Sequence, residues 1–265
     1  MASMKRIVSR PWARAPAQGL AWLALAQPAC ADDGDWQPIT PYRPSVSSPA
    51  QLPAPGQLEL ELGGQRLSDS RSGRNSLPYL VKLAFNADWG LLVGGDGYVW
   101  QNGDIGRSQG AGDTLVTLKR AWVVDEATAF GMEFDVKLPT ANDVIGSGKA
   151  DYVVNTIFSR DIGPVHMDAN LNVTQLGQVD PGSARTQFGA STAFSTALTQ
   201  RWGLTGEVSG THRSGADNGM QLLAALTFSP NRYLTFDAGV ARALRPRPAG
   251  TSLFAGVVLP LARLW

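Results

Sequence analysis

Cysteine is almost missing from this chain. Its 265 residues contain one, Cys30, which has no partner within the chain, so a disulfide-built scaffold is excluded. Charge is sparse as well, 17% of residues against roughly 25% in an ordinary soluble domain. The 23 basic and 22 acidic residues leave a net +1, which offers no basic surface for nucleic acid. No apolar run approaches the roughly 18 residues that a membrane-crossing helix needs. Glycine and proline are plentiful, at 29 and 17. They call for frequent turns and few long helices, and they exclude a coiled coil.

The N-terminus carries Lys5, Arg6, Arg10 and Arg14 and no acid before Asp32. The apolar stretch 19–26 (GLAWLALA) and the small-x-small site Ala29-Cys30-Ala31 follow. These are the parts of a secretory signal, expected over residues 1–31 with cleavage near Ala31. A buried helix would not need the acid-free basic flank. Removing the four cations leaves 19 basic against 22 acidic residues, net −3, and no cysteine. Lipidation of Cys30 is the competing fate, but Gln27-Pro28-Ala29 makes a poor lipoprotein signal. Residues 32–56 are rich in proline and have no apolar period, which reads as an extended periplasmic tether.

From Leu58 onward apolar and polar residues alternate with period two. In 165–173, Val165, Met167, Ala169, Leu171 and Val173 oppose His166, Asp168, Asn170 and Asn172. In 130–138, Phe130, Met132, Phe134, Val136 and Leu138 oppose Glu133, Asp135 and Lys137. The pattern predicts about twelve strands, near 57–66, 76–86, 88–100, 112–123, 127–138, 148–160, 163–177, 184–199, 202–213, 218–229, 232–242 and 251–265. Longer polar links follow the odd strands and tight turns follow the even ones, as in an up-and-down barrel with unequal rims. The expected fold is all-β: an antiparallel transmembrane β-barrel over 57–265.

A secreted lipocalin-like barrel would show the same alternation with its apolar side inward. Two features favour the opposite. The polar faces carry Lys82, Asp96, Lys119, Glu133, Asp135, Lys137, His166, Asp168, Asn170 and Glu207, which suit a water-filled lumen. Trp89, Trp122, Trp202 and Trp265 all lie at short-turn strand ends on the apolar face, as in an aromatic girdle at a membrane interface. Arg120 and Arg263, close to that rim, can snorkel toward headgroups. Outer-membrane lipid and lipopolysaccharide are therefore the expected surroundings, in a Gram-negative bacterium. The final strand, ending on Trp265, resembles the insertion signal read by the barrel-assembly machinery.

Two stretches, GDTLVTLKRAWVV (112–124) and KLPTANDVIGSGKADYVV (137–154), the latter followed by GPVHMDANLNVTQLG (163–177), resemble an outer-membrane family labelled for the MetA pathway of phenol degradation. The resemblance implies a passive channel for small compounds, apolar or aromatic ones among them. It supplies no catalytic residue.

The competing chemistry is lipid hydrolysis, because outer-membrane phospholipases are also twelve-stranded and need a serine activated by histidine on the lipid-facing wall. His212 and Ser214 are the candidates, two residues apart and outward by parity, with Asn218 near in sequence. The segment HRSGADN also reads simply as a hairpin loop. A non-conducting structural barrel is a third reading. GGDG (94–97) and GSG (146–148) lack phosphate-loop spacing. Glu133 and Asp135 lie two apart on one face without a cleft, and Asp143 and Asp151 match no metal motif. No catalytic residue, metal or cofactor is expected, and the permeant is unspecified.

The export reading has a direct test. Intact mass of protein extracted from membranes should correspond to a chain that begins at Asp32 and lacks cysteine. Retention of residues 1–31, or an acylated Cys30, would refute it.

Overall fold

A computed structural model describes residues 36–69, 72–103, 106–246 and 250–265; the expected signal segment lies outside them. Thirteen strands form one antiparallel sheet: β1 (Gln57–Ser68), β2 (Gly73–Ala84), β3 (Trp89–Gly103), β4 (Gly106–Gly110), β5 (Thr114–Asp125), β6 (Thr128–Leu138), β7 (Asp151–Ile162), β8 (Val165–Gln175), β9 (Thr186–Ala197), β10 (Trp202–His212), β11 (Gly219–Asn231), β12 (Leu234–Arg245) and β13 (Thr251–Arg263). Twelve of them close a barrel. β1 pairs with both β2 and β13, β2 with β3, β3 with β5, and each later strand with the next. Closure leaves no edge in hydrocarbon, where an unpaired backbone group is costly.

The thirteenth strand lies where a loop was expected. Residues 106–110 fold back on the end of β3, with Val99 opposite Gly110 and Asn102 opposite Arg107. This piece of Gly, Arg, Ser and Gln has no apolar alternation to announce it. β1 and β2 also run further than expected, so their link shrinks to residues 69–72. Short connections at 85–88, 126–127, 163–164, 198–201 and 232–233 share one rim with the start of β1 and the end of β13. Segments 139–150 and 176–185 lie on the other.

The burial pattern is that of a soluble protein turned inside out. Phe130, Phe134 and Leu171 are exposed, while Lys82 and Lys119 are entirely buried. Large apolar groups therefore face out and ionic groups face in, the arrangement a bilayer imposes on a barrel. All four tryptophans expected in a girdle lie at the short-turn rim. The Arg120 guanidinium stands over the rings of Trp89 (5.1 Å) and Trp122 (4.7 Å), joining cation–π contact to its reach toward headgroups. Trp202 packs on Phe228 at 4.8 Å. Trp100 and Tyr152, outward and exposed near the long-loop rim, mark a second belt that the tryptophan positions had not disclosed.

Phe134 stands between Leu118 and Val154 on the outer face. Phe134→Arg should weaken the barrel by about 2–4 kcal/mol, the scale for a cation at mid-membrane depth. Asp135→Asn, on the opposite face, should assemble normally. The difference in gel migration between heated and unheated protein reads both outcomes.

Candidate functional site

The described part of the proline-rich segment bonds to the inner wall of the barrel. Residues 36–56 form a hairpin inside the lumen, with both ends at the short-turn rim. Its first arm climbs alongside β1. Gln37 N–H donates to Gln57 Oε1 (2.9 Å), Thr40 N–H to Glu59 (3.1 Å), and Tyr42 N–H to Glu61 Oε1 (2.8 Å). The chain turns near residues 43–48 and descends. Val46 and Ser47 N–H both donate to Glu207 Oε2 (2.8 and 2.9 Å). Ser48 exchanges two bonds with the Asn170 amide (2.8 and 2.9 Å), and Ala50 N–H donates to Ser159 Oγ (2.8 Å). Prolines 38, 41, 44, 49, 53 and 55 bring no backbone donor into this interior, so fewer groups need a partner there.

Two lysines clamp the hairpin. Lys82 from β2 and Lys119 from β5 place their ammonium groups 4.3 and 4.2 Å from the centroid of the Tyr42 ring. Lys82 Nζ also reaches Glu61 (2.6 Å), Glu59 (3.1 Å) and the Thr40 carbonyl. Lys119 Nζ binds Glu133 (3.0 Å) and donates to the Pro49 carbonyl (2.5 Å). Burial pushes the Tyr42 phenol well above its ordinary range, with Glu133, Glu61 and Glu59 adding to the shift. The hydroxyl thus stays protonated and donates to the Gln51 carbonyl across the hairpin (2.7 Å).

At the turn, the Arg43 guanidinium grips Asp237 with two bonds (2.9 and 2.8 Å). It lies against Gly63 and Gly256, which face each other across β1 and β13. A Cβ at either would come within 2.7 and 2.3 Å of that guanidinium, so side chains are excluded from its seat.

The other inner-face residues expected from the sequence fall into layers. His166, near the short-turn rim, contacts Asp161 (2.5 Å) and Asp168 (3.2 Å), and Asp168 accepts from Ser159. Glu133 accepts from Asn155 Nδ2 (2.8 Å) as well as from Lys119. Lys137 does not join Lys119; it binds Asp151 (2.8 Å) and Asp113 (3.4 Å) at the long-loop mouth, beside the Asp96–Arg74 pair (2.7 Å). Asp135 has no ion-pair partner among the described residues, and its Oδ1 accepts no hydrogen bond.

On the long-loop side of the hairpin turn lies a cavity of about 380 Å³. Residues 45–48 form its floor, and Asp135, Thr117 and Asn155 line it together with Leu80, Leu92, Leu115 and Val153. These four apolar residues share the inner face with charged ones and were not anticipated. Their only sequence signal is parity: Leu80 is two from Lys82, and Val153 two from Asn155.

His212 ends β10, exposed, with Nδ1 2.7 Å from Asn218 Oδ1. No hydrogen bond joins it to Ser214, whose carbonyl accepts from Ala184 N–H (2.9 Å). The histidine has an orienting partner, but the serine is not coupled to it.

Breaking a buried ion pair by removing one partner costs about 3–5 kcal/mol. Lys119→Ala should accordingly loosen the hairpin while the wall ladder stays closed. Ser47, fully buried, reports it. In a Cys30→Ala background, Ser47→Cys should resist an impermeant maleimide, and adding Lys119→Ala should make it reactive.

No curated protein matches the chain. Among solved structures, an outer-membrane channel from Pseudomonas putida F1 superposes with a TM-score of 0.65 at 12% identity, covering 80% of this chain and 98% of that one. The NanC porin follows with a TM-score of 0.57 at 10% identity, covering 76% and 100%. The KdgM porin gives 0.53 at 10% identity, covering 76% and 99%. These likenesses bear on the fold. The family described as "Putative MetA-pathway of phenol degradation" matches residues 42–259, from Tyr42 at the hairpin turn into the last strand. The chain therefore belongs to that family, as an outer-membrane β-barrel of twelve wall strands.

Proposed function

We propose that the protein is a passive outer-membrane channel for small compounds, apolar and aromatic ones among them, with residues 36–56 as an internal plug. The supporting observation is the charged lumen: a closed wall encloses ionic groups and a cavity, and the segment that blocks the way is fixed by side chains instead of a strand ladder. Carboxylates outnumber cations around the hairpin. Lys82, Lys119, Arg43 and the His166 imidazole stand against Glu59, Glu61, Glu133, Asp135, Asp168, Glu207 and Asp237. The permeation path therefore favours cations. The exported chain begins near Asp32 after signal cleavage, and its last strand, ending in Trp265, engages the barrel-assembly machinery.

Lipid hydrolysis at His212 is the second reading, carried by its contact with Asn218. Purified protein in planar bilayers, assayed in parallel for phospholipid hydrolysis, separates the two. The channel reading expects no hydrolysis and a small conductance that rises on deletion of residues 37–50. Hydrolysis abolished by Ser214→Ala would instead establish the enzyme, and the absence of both activities would leave a structural barrel. Lys137→Glu, which leaves Asp113 and Asp151 without their cation at the mouth, should raise cation selectivity without preventing assembly. Unchanged selectivity in a folded variant would remove Lys137 from the path.

A further inference from the structure

We infer that the cavity above the hairpin is a binding site for a small primary ammonium compound with an apolar body. The inference rests on the channel reading and names the class of permeant that the lumen selects. The first observation is that Asp135 has no ion-pair partner among the described residues, although Thr117 gives it a side-chain hydrogen bond. Its neighbours in register are Thr117 on β5 and Val153 on β7, and neither can neutralise it. The nearby cations are committed elsewhere: Lys119 to Glu133, Arg43 to Asp237, and Lys137 to Asp151 and Asp113.

The second observation is independent of charge. Asn155 is 93% buried and lines the same cavity, and its Oδ1 receives no hydrogen bond. Its amide cannot be turned to repair this. Nδ2 faces Glu133 Oε2 (2.8 Å) and Asn170 Oδ1 (3.3 Å), and both are acceptors. The Asn170 orientation is fixed in turn, because its Oδ1 accepts from Ser48 N–H while its Nδ2 donates to the Ser48 carbonyl. Both oxygens lie beneath the cavity lining, out of contact with solvent, so what reaches the cavity is the uncompensated charge of the Asp135 carboxylate.

An ammonium group supplies several donors and the missing positive charge together. The cavity also has apolar lining, Leu80 and Leu92 from β2 and β3 and, beside Asp135, Leu115 and Val153. A bare hydrated cation leaves that surface unused, whereas a compact hydrocarbon body covers it. An anion would meet Asp135 and Glu133 without a free cation to receive it.

The test is calorimetric titration of detergent-solubilised full-length mature protein with cyclohexylammonium, cyclohexanol and methylammonium. It is run at about pH 8, where exposed carboxylates are ionised and alkylamines protonated. Cyclohexylammonium should bind at least about tenfold more tightly than either comparison compound, the scale of one charge-assisted hydrogen bond. Asp135→Asn should abolish the margin over cyclohexanol, and Leu115→Ala should reduce the margin over methylammonium. Gel migration before and after heating confirms that each variant is folded. Equal binding of cyclohexylammonium and cyclohexanol, or an Asp135→Asn variant that binds as the parent does, overturns the inference. Equal binding of the two ammonium ions leaves a simple charge site and overturns it too. Calorimetry reads the site without conduction, so binding by a barrel that passes no current would sink the channel reading and keep the binding site without its permeant role.

Discussion

Lys82 and Lys119 are the groups on which the rest of the interior depends. Each is fully buried, and a buried ammonium must find both a counter-charge and acceptors for its protons. Glu59, Glu61 and Glu133 supply the charge from neighbouring strands, and the Thr40 and Pro49 carbonyls supply further acceptors. The space between the two ammonium groups holds the Tyr42 ring, whose π face contributes roughly 2 kcal/mol to each contact when water is absent. Wall and hairpin are therefore coupled through one ionic layer near the middle of the barrel. The wall does not need the hairpin for its own continuity, because all twelve ladder pairings are strand to strand.

The excess of carboxylate over cation follows from how that layer is filled. Lys82 bridges two glutamates, while Lys119 and Arg43 each take one acid. Glu207 is stabilised by neutral donors instead, the backbone N–H groups of Val46 and Ser47, and Asp168 is shared between the Ser159 hydroxyl and the His166 ring. A carboxylate held by amides keeps its field, which the lumen then presents to whatever enters. Asp135 differs in having apolar and hydroxyl neighbours in register, and it borders the open cavity. Field and free volume thus coincide on one side of the hairpin.

The barrel itself was legible because a lipid-facing strand and a water-facing lumen impose strict alternation, and strands such as 128–138 carry it without a break. The girdle was legible because tryptophans at turn-proximal ends share one parity. The hairpin was not. An extended proline-rich segment has no period, and the partners of its N–H groups are side chains spread from β1 to β12 that converge only on closure. Glu59 and Glu61 read simply as inner-face acids, and nothing local shows that their task is to receive Thr40 and Tyr42. The pairing of Lys119 with Glu133 follows from neighbouring strands in register. The attachment of Lys137 to Asp113 and Asp151 required the path of residues 139–150, a loop with no pattern to read. Leu80, Leu92, Leu115 and Val153 escaped for a related reason. A rule that sends apolar residues outward has no means of marking an apolar patch placed inside on purpose.

The two ends of the hairpin's hold differ in kind, and this orders how it can loosen. From Gln37 to Arg43 the contacts are ionic or border the ionic layer, and separating them leaves lysines and carboxylates unpaired in a narrow space. From Val46 to Ser48 the contacts are hydrogen bonds from neutral donors to Glu207 and Asn170. Each such bond contributes about 0.5–3 kcal/mol net, and entering water can replace it group for group. The part of the turn beyond Arg43 therefore yields before the clamped arm does. Its residues are also the floor of the cavity, so the first motion available to the plug enlarges the cavity toward the short-turn rim while Tyr42 stays between its lysines. A compound lodged beside Asp135 lies directly above that floor. Binding there and opening of the path below it consequently act on the same few residues.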